Sequence, residues 1–134
     1  MKVAIGSETS GFALKEAIKA HLIKIGHEVM DVGAQSDNDR DIFTRRTGAG
    51  ASLIANKQRG IYCGACESVF TTEKIGLPNN ANALAMKSCV VSHDMSCNLA
   101  EKYLVGPWCE GFAKQRHLNN ENGYAKMQGI KANQ

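Results

Sequence analysis

The chain has 134 residues, 43% hydrophobic and 22% charged, with 16 Lys and Arg against 13 Asp and Glu for a net charge of +3. That length suits one compact soluble domain, and the positive charges are too few and too dispersed to indicate nucleic acid as a partner. No stretch approaches the roughly 18 apolar residues of a membrane span, and the apolar run Val3 to Gly6 is too short for a signal peptide.

Val3-Ala4-Ile5 reads as a buried strand that breaks into the small polar turn Gly6-Ser7-Glu8-Thr9-Ser10-Gly11. From Phe12 to Ile25 the residues Leu14, Ala17, Ile18, Leu22 and Ile25 recur at three- and four-residue steps, one apolar stripe of a helix that Gly26 stops. Lys15, Glu16 and Lys19 read as its solvated face. His27 to Gly33 forms a second strand, and strand, helix and strand in about 30 residues make a βαβ unit with parallel strands. Ala34 to Arg40 is a polar loop. Asp41-Ile42-Phe43-Thr44 is a third strand, too close to the second for the usual crossover helix.

The turn Thr47-Gly48-Ala49-Gly50 opens a helix from Ala51 to Gln58, ended by Gly60. Ile61-Tyr62-Cys63 begins a fourth strand, Val69 to Ile75 a short helix, Pro78-Asn79-Asn80 a turn and Ala83 to Met86 a fifth strand. Asp94 caps a helix running to Val105, where Gly106-Pro107 stops it. The pattern is a single α/β sandwich, with the domain over residues 1–118 and a polar tail over 119–134.

Two of these segments are suited to hold a phosphate. In Gly6–Gly11 and in Thr47–Ser52, glycines let the backbone approach a ligand and helix-start N–H groups face an anion. The second turn is neither a dinucleotide fingerprint, since Leu53 stands where the third glycine belongs, nor a Walker loop, since the closing Gly-Lys is absent. Cys63-Gly-Ala-Cys66 has CxxC spacing, but Cys89, Cys97 and Cys109 do not complete a zinc ribbon, so no metal is expected. Five cysteines are an odd set, which favours reduced thiols in the cytoplasm. Cys63 and Cys66 read as buried strand residues, with one alternative: Cys66 near the pocket, its pKa lowered by Arg45 or Arg46, acting as a base. Glu8 is the other base candidate, though a carboxylate beside a helix N-terminus is better suited to binding hydroxyls. His21, His27 and His93 read as structural.

The motifs resemble the ribose-5-phosphate isomerase B and galactose-6-phosphate isomerase family. Ile5-Gly6-Ser7-Glu8-Thr9-Ser10-Gly11-Phe12-x-Leu14-Lys15 is similar to its opening Gly-Ser-Asp-His-Ala-Gly-Phe-x-Leu-Lys, and Gly26-His27-Glu28-Val29-x-Asp31-x-Gly33 to its second strand. Thr47-Gly48-Ala49-Gly50-x-Ser52-x-x-Ala55-Asn56-Lys57-x-x-Gly60-Ile61, Asn79-Asn80-Ala81-Asn82 and Glu110-Gly111-x-x-x-Gln115 match three later landmarks. The resemblance implies a Rossmann-like three-layer sandwich with a mostly parallel sheet of about five strands, here with the second crossover helix missing. It implies an aldose–ketose isomerase that moves a proton between C1 and C2 of a phosphorylated sugar through an enediol, without metal or other cofactor. It also implies a homo-oligomer, dimer or tetramer, with active sites shared between subunits, or pairing with a related second subunit.

Carried over by residue, the resemblance places Thr47, Gly48, Gly50 and Ala51 at the turn that stabilises the developing oxyanion, with Asn79 and Glu8 on sugar hydroxyls. Lys114, Arg116 and His117 fall in the basic segment that binds phosphate, with Arg45 as a further cation. The departures are equally specific. Arg45 replaces the family's catalytic Cys, Ala51 the Glu used by a subset, Pro78 the ring-opening His, Thr9 the His of the first motif, and Ala113 a phosphate-binding basic residue. The expected catalytic set is Cys66, the favoured replacement base, with Glu8 on hydroxyls and Thr47 on the oxyanion, and Thr9 is among the substrate contacts. The alternative is a non-catalytic phosphosugar-binding member or partner subunit.

Overall fold

The computed structural model describes residues 1–38, 49–76, 79 and 81–106. Strand β1 (Lys2–Ile5) leads through a short 3-10 turn (Thr9–Gly11) into helix α1 (Phe12–Lys24), which returns to strand β2 (Glu28–Asp31). The two strands pair in parallel, with Lys2 opposite Glu28 and Ile5 opposite Asp31. The βαβ unit read from the sequence is therefore present. Its helix ends as expected at Gly26, which takes φ +91°. The Gly26 N–H donates to Ile23 O at 3.0 Å and the His27 N–H reaches back to Leu22 O at 2.9 Å. That closure requires a left-handed residue, which glycine adopts without a Cβ penalty.

Helix α2 (Ala49–Ala55), strand β3 (Cys63–Ala65), helix α3 (Val69–Gly76), strand β4 (Ala83–Ala85) and helix α4 (His93–Val105) follow. β3 and β4 are also parallel, so the described strands form two parallel pairs, β1–β2 and β3–β4. The strand expected at Asp41–Thr44 and the tail at 119–134 lie outside the described residues. α1 packs on α4 and α4 on α3, while α2 lies against β3 and β4. Leu14, Ile18, Leu22 and Ala100 form the core, with Val3, Ile5, Val29, Met86, Cys97 and Leu104 packed around them. Leu14, Ile18 and Leu22 of the expected stripe lie in this core, whereas Ile25, 41% exposed, lies outside it.

Element ends differ from expectation for identifiable reasons. α2 starts at Ala49, inside the glycine-rich turn, and ends at Ala55. The Asn56 side chain then donates to Cys63 O at 2.8 Å and accepts from Cys63 N at 2.7 Å. It thereby does for Cys63 what a neighbouring strand would do, and ties the end of α2 to the start of β3. The cap of α4 is Ser92, not Asp94: its Oγ accepts from Met95 N at 3.3 Å. Asp94 lies in the first turn, where its charge suits the helix dipole.

Candidate active site

A cleft of about 800 Å³ runs along β1 and across to β4. Val3, Ile5, Leu14 and Ile18 make an apolar floor, and Ser7, Glu8, Gly11, Met86 and Ser88 stand at the end where β1 and β4 exit. The carboxyl ends of parallel strands are where open α/β sheets bind ligands. Ser88 Oγ donates to Ser10 O at 3.3 Å, joining the β4 exit to the β1 exit.

Glu8 is the carboxylate that lines this cleft among the described residues. It precedes the 3-10 turn in extended conformation (φ −72°, ψ 173°), and no side-chain bond caps that turn. Its carbonyl accepts from Gly11 N at 3.1 Å. Beside it, Ser7 Oγ is buried and has no hydrogen-bond partner. An unspent buried hydroxyl costs free energy. Cys63 and Tyr103 also line the cleft. Burial, and then proximity to Cys66, pushes the Cys63 thiol up. Tyr103, with burial as the first cause, is raised far above the usual phenol range.

Behind the Ser7–Glu8 turn lies an ion cluster that corrects the expected solvated face of α1. Lys15 is 3% exposed. Its Nζ contacts Asp31 Oδ2 at 2.5 Å, Glu16 Oε1 at 2.9 Å and Ala34 O at 2.8 Å, and it lies 5.0 Å from the Phe12 ring centroid. Lys19 Nζ reaches the same two carboxylates, Glu16 at 2.5 Å and Asp31 at 2.8 Å. Hydrogen bonds from Lys15 and Lys19 hold the Asp31 carboxyl far below the usual carboxylate range, with the Gly33 N–H at 3.1 Å assisting. Burial pulls the Lys15 ammonium down, but its bonds to Asp31 and Glu16 outweigh it and leave the group above an ordinary lysine. Lys15 is thus a fixed cation, not a base.

The expected site residues divide into three groups. Glu8 and Ala51 line the cleft, Thr9 opens the 3-10 turn beside it, and Gly50 lies in the first turn of α2. Asn79 lines a separate cavity of about 190 Å³ with Asn56, Tyr62 and Ile75. Arg45, Thr47, Gly48, Lys114, Arg116 and His117 lie outside the described residues. Cys66 does not fit the base role. It is 1% exposed and does not line the cleft, and burial pushes its thiol up, with a Thr72 hydrogen bond only partly opposing. The role required a lowered pKa. Cys63, Cys66 and Cys97 are free thiols, and among the described residues no group of three or more His, Cys, Asp or Glu is gathered as a metal site. Sequence reasoning missed Ser7, Ser88 and the Lys15–Asp31 pair. For the pair a signal existed: Asp31 shares the inward parity of β2 with Val29, and an inward carboxylate calls for a cation.

Comparison with known proteins gives this geometry a context. A family model described as Ribose/Galactose Isomerase matches residues 3–43 and 34–120. The chain is 33% identical over 137 residues to the 4-deoxy-4-sulfo-D-erythrose isomerase of Clostridium sp. (strain MSTE9), covering 87% of this chain and 86% of that protein. It is 30% identical over 135 residues to the ribose-5-phosphate isomerase B of Escherichia coli, covering 86% and 91%. The structure of ribose-5-phosphate isomerase B from Clostridium thermocellum superimposes with a TM-score of 0.84 at 25% identity, covering 95% of this chain and 99% of that one. With its parallel α/β units and this breadth of match, the chain has the Rossmann-like fold of the ribose/galactose isomerases and belongs to that family.

Proposed function

We propose that this chain interconverts an aldose phosphate and its ketose isomer by proton transfer between C1 and C2 through an enediol. Family membership supports the reaction class, and the observation that carries the site is Glu8 at the β1 exit, a carboxylate on the cleft next to an unpartnered Ser7 hydroxyl. A carboxylate is basic enough to accept a proton from a carbon made acidic by an adjacent carbonyl, provided donors hold the developing oxyanion. In this reading Glu8 moves the proton or orients the hydroxyls at C1 and C2, and Ser7 donates to one of them. Backbone N–H groups of Thr47, Gly48, Gly50 and Ala51 hold the oxyanion, with Thr9 alongside. Arg45, Lys114, Arg116 and His117 neutralise the phosphate. Asn79, on its separate cavity, fits a site completed by a neighbouring subunit of a homodimer or tetramer. The reading places the protein in the cytoplasm, whose reducing conditions suit thiols such as Cys63 and Cys97.

Proton NMR in D2O tests the reading, with ribose 5-phosphate, allose 6-phosphate, galactose 6-phosphate and 4-deoxy-4-sulfo-D-erythrose offered in turn. Deuterium at C1 of the ketose product, and at C2 of aldose re-formed from it, is expected for one of the phosphates, and Glu8→Gln should lower the rate by about 10²–10⁴-fold. Turnover of the sulfonate alone would move the substrate to that chemistry. Binding without exchange by any sugar would favour a second reading, a non-catalytic phosphosugar-binding member, which the replacement of the family's Cys and His by Arg45, Thr9 and Pro78 supports.

A further inference from the structure

We infer that Lys15 is a positioning residue, holding the Ser7–Glu8 turn in its working geometry through Asp31 and Ala34. The kinetic part of this inference rests on the isomerase reading above; the structural part does not.

The path is short and made of direct contacts. Lys15 Nζ donates to the Ala34 carbonyl at 2.8 Å, and the N–H of the same residue donates to Ser7 O at 2.9 Å. Ala34 therefore hangs between the lysine and the turn that carries Glu8. Asp31, gripped by Lys15 through Oδ2, uses Oδ1 to accept from Gly33 N at 3.1 Å. Gly33 in turn lies so close to the turn that a Cβ built on it would stand 2.3 Å from Ser7 N. The lysine thus fixes both ends of the Gly33–Ala34 segment, and that segment packs on the Ser7 backbone.

A buried lysine is a costly way to pack a helix. Leu14, Ile18 and Leu22 already supply the apolar contacts of α1, and a well-packed apolar residue in place of a buried ion pair is often as stable. What an apolar residue cannot do is fix the Asp31 carboxylate and the Ala34 carbonyl at set distances. Lys15 also lines the cleft, yet its charge is met by Asp31 and Glu16, which leaves it poorly placed to bind a phosphate. Its loss should therefore act on the chemical step more than on substrate affinity.

The test uses the full chain with Lys15→Met and Lys15→Arg, read by isomerase kinetics and by amide hydrogen exchange. Lys15→Met should lower kcat by about 10–100-fold, as expected when a reacting group shifts by about 1 Å, with KM changed less than about threefold. The amides of Gly33 and Ala34 should exchange faster. Lys15→Arg, whose guanidinium can reach the same two oxygens, should recover most of kcat and of the protection. Unchanged kcat in folded Lys15→Met, or reduced kcat with Gly33 and Ala34 protection intact, would overturn the inference. Should the parent protein turn over no sugar, the isomerase reading fails by itself, and exchange at Gly33 and Ala34 still decides whether Lys15 holds the turn. If Lys15→Met does not fold, Asp31→Asn keeps the acceptor for Gly33 while removing the charge that anchors Lys15. Faster exchange at Ala34 in that variant supports the inference, and unchanged exchange refutes it.

Discussion

Gly33→Ala is the sharpest probe of how the two strand exits are joined. The added methyl would stand 2.3 Å from Ser7 N, 2.8 Å from Gly6 Cα and 2.9 Å from Gly6 C. All three are backbone atoms, so no side chain can swing aside. Non-bonded heavy atoms rest at about 3.5–4.0 Å, which means the β1 and β2 exits must part by about 1 Å. Forcing an extra methyl into a packed site costs about 1–3 kcal/mol. Parting the exits also breaks the 2.9 Å bond from Ala34 N to Ser7 O, worth about 1 kcal/mol. A destabilisation of about 2–4 kcal/mol follows from the two together. Urea unfolding measures it as a lower midpoint with an unchanged slope. A loss below about 0.5 kcal/mol, the range of an ordinary surface substitution, would mean that the close approach of Gly33 to Ser7 is not a feature of the folded protein.

Three further outcomes follow from the charges and thiols. Cys66→Ala should leave kcat within about threefold of the parent, because a buried thiol held protonated is neither base nor nucleophile; a loss beyond about 100-fold would return the base role to Cys66. On acidification, the folded-state pKa of Asp31 lies below its unfolded value, so its contribution to stability is complete above about pH 4 and is lost as the pH falls toward the folded value. Asp31→Asn should therefore flatten the acid limb of urea stability against pH, and an unaltered limb would show that the cluster contributes nothing there. Removing Lys114 and Arg116 together should raise KM for a sugar phosphate by about 10-fold or more, since charge-assisted bonds are worth about 1.5–3 kcal/mol each; an unchanged KM would take the basic segment out of the site.

The parts of the fold that were legible in the sequence depend on neighbours along the chain. The Leu14–Ile18–Leu22 stripe needs only the 3.6-residue period, and Gly26 needs only the rule that a helix closes on a left-handed residue. The cap of α4 was misassigned within the same local logic: Ser92 and Asp94 are both good caps, and only the Met95 N–H shows which of them takes it. The site was less legible because its decisive contacts are non-local. Lys15 and Asp31 are 16 residues apart, and the pattern Lys15-Glu16-x-x-Lys19 by itself describes a solvated face as well as a buried clamp. Cys66 was placed near the pocket from its strand position alone. Burial then decides its chemistry, and burial depends on what packs over it, here including Thr72.

The electrostatics of the cleft follow from the same distinction. Among the described residues, Lys2 and Lys15 line it, and both are in ion pairs, Lys2 with Glu28 at 3.4 Å and Lys15 with Asp31 and Glu16. Glu8 adds a negative charge at the β1 exit. That balance suits proton abstraction at the β1 end, where a carboxylate must stay available, and it is unfavourable for a phosphate dianion placed there. This speaks against the expectation that the Gly6–Gly11 turn holds the phosphate, and in the proposed reading the phosphate lies away from Glu8, toward cations that neither β1 nor α1 supplies. In the proposed isomerase reading the sugar would then run along the cleft, with C1 and C2 at Glu8 and the phosphate at the far end. In that reading the neutralisation of Lys15 by Asp31 and Glu16 has a reason: a free ammonium near Glu8 would hold the anionic tail where the carbon chemistry has to occur.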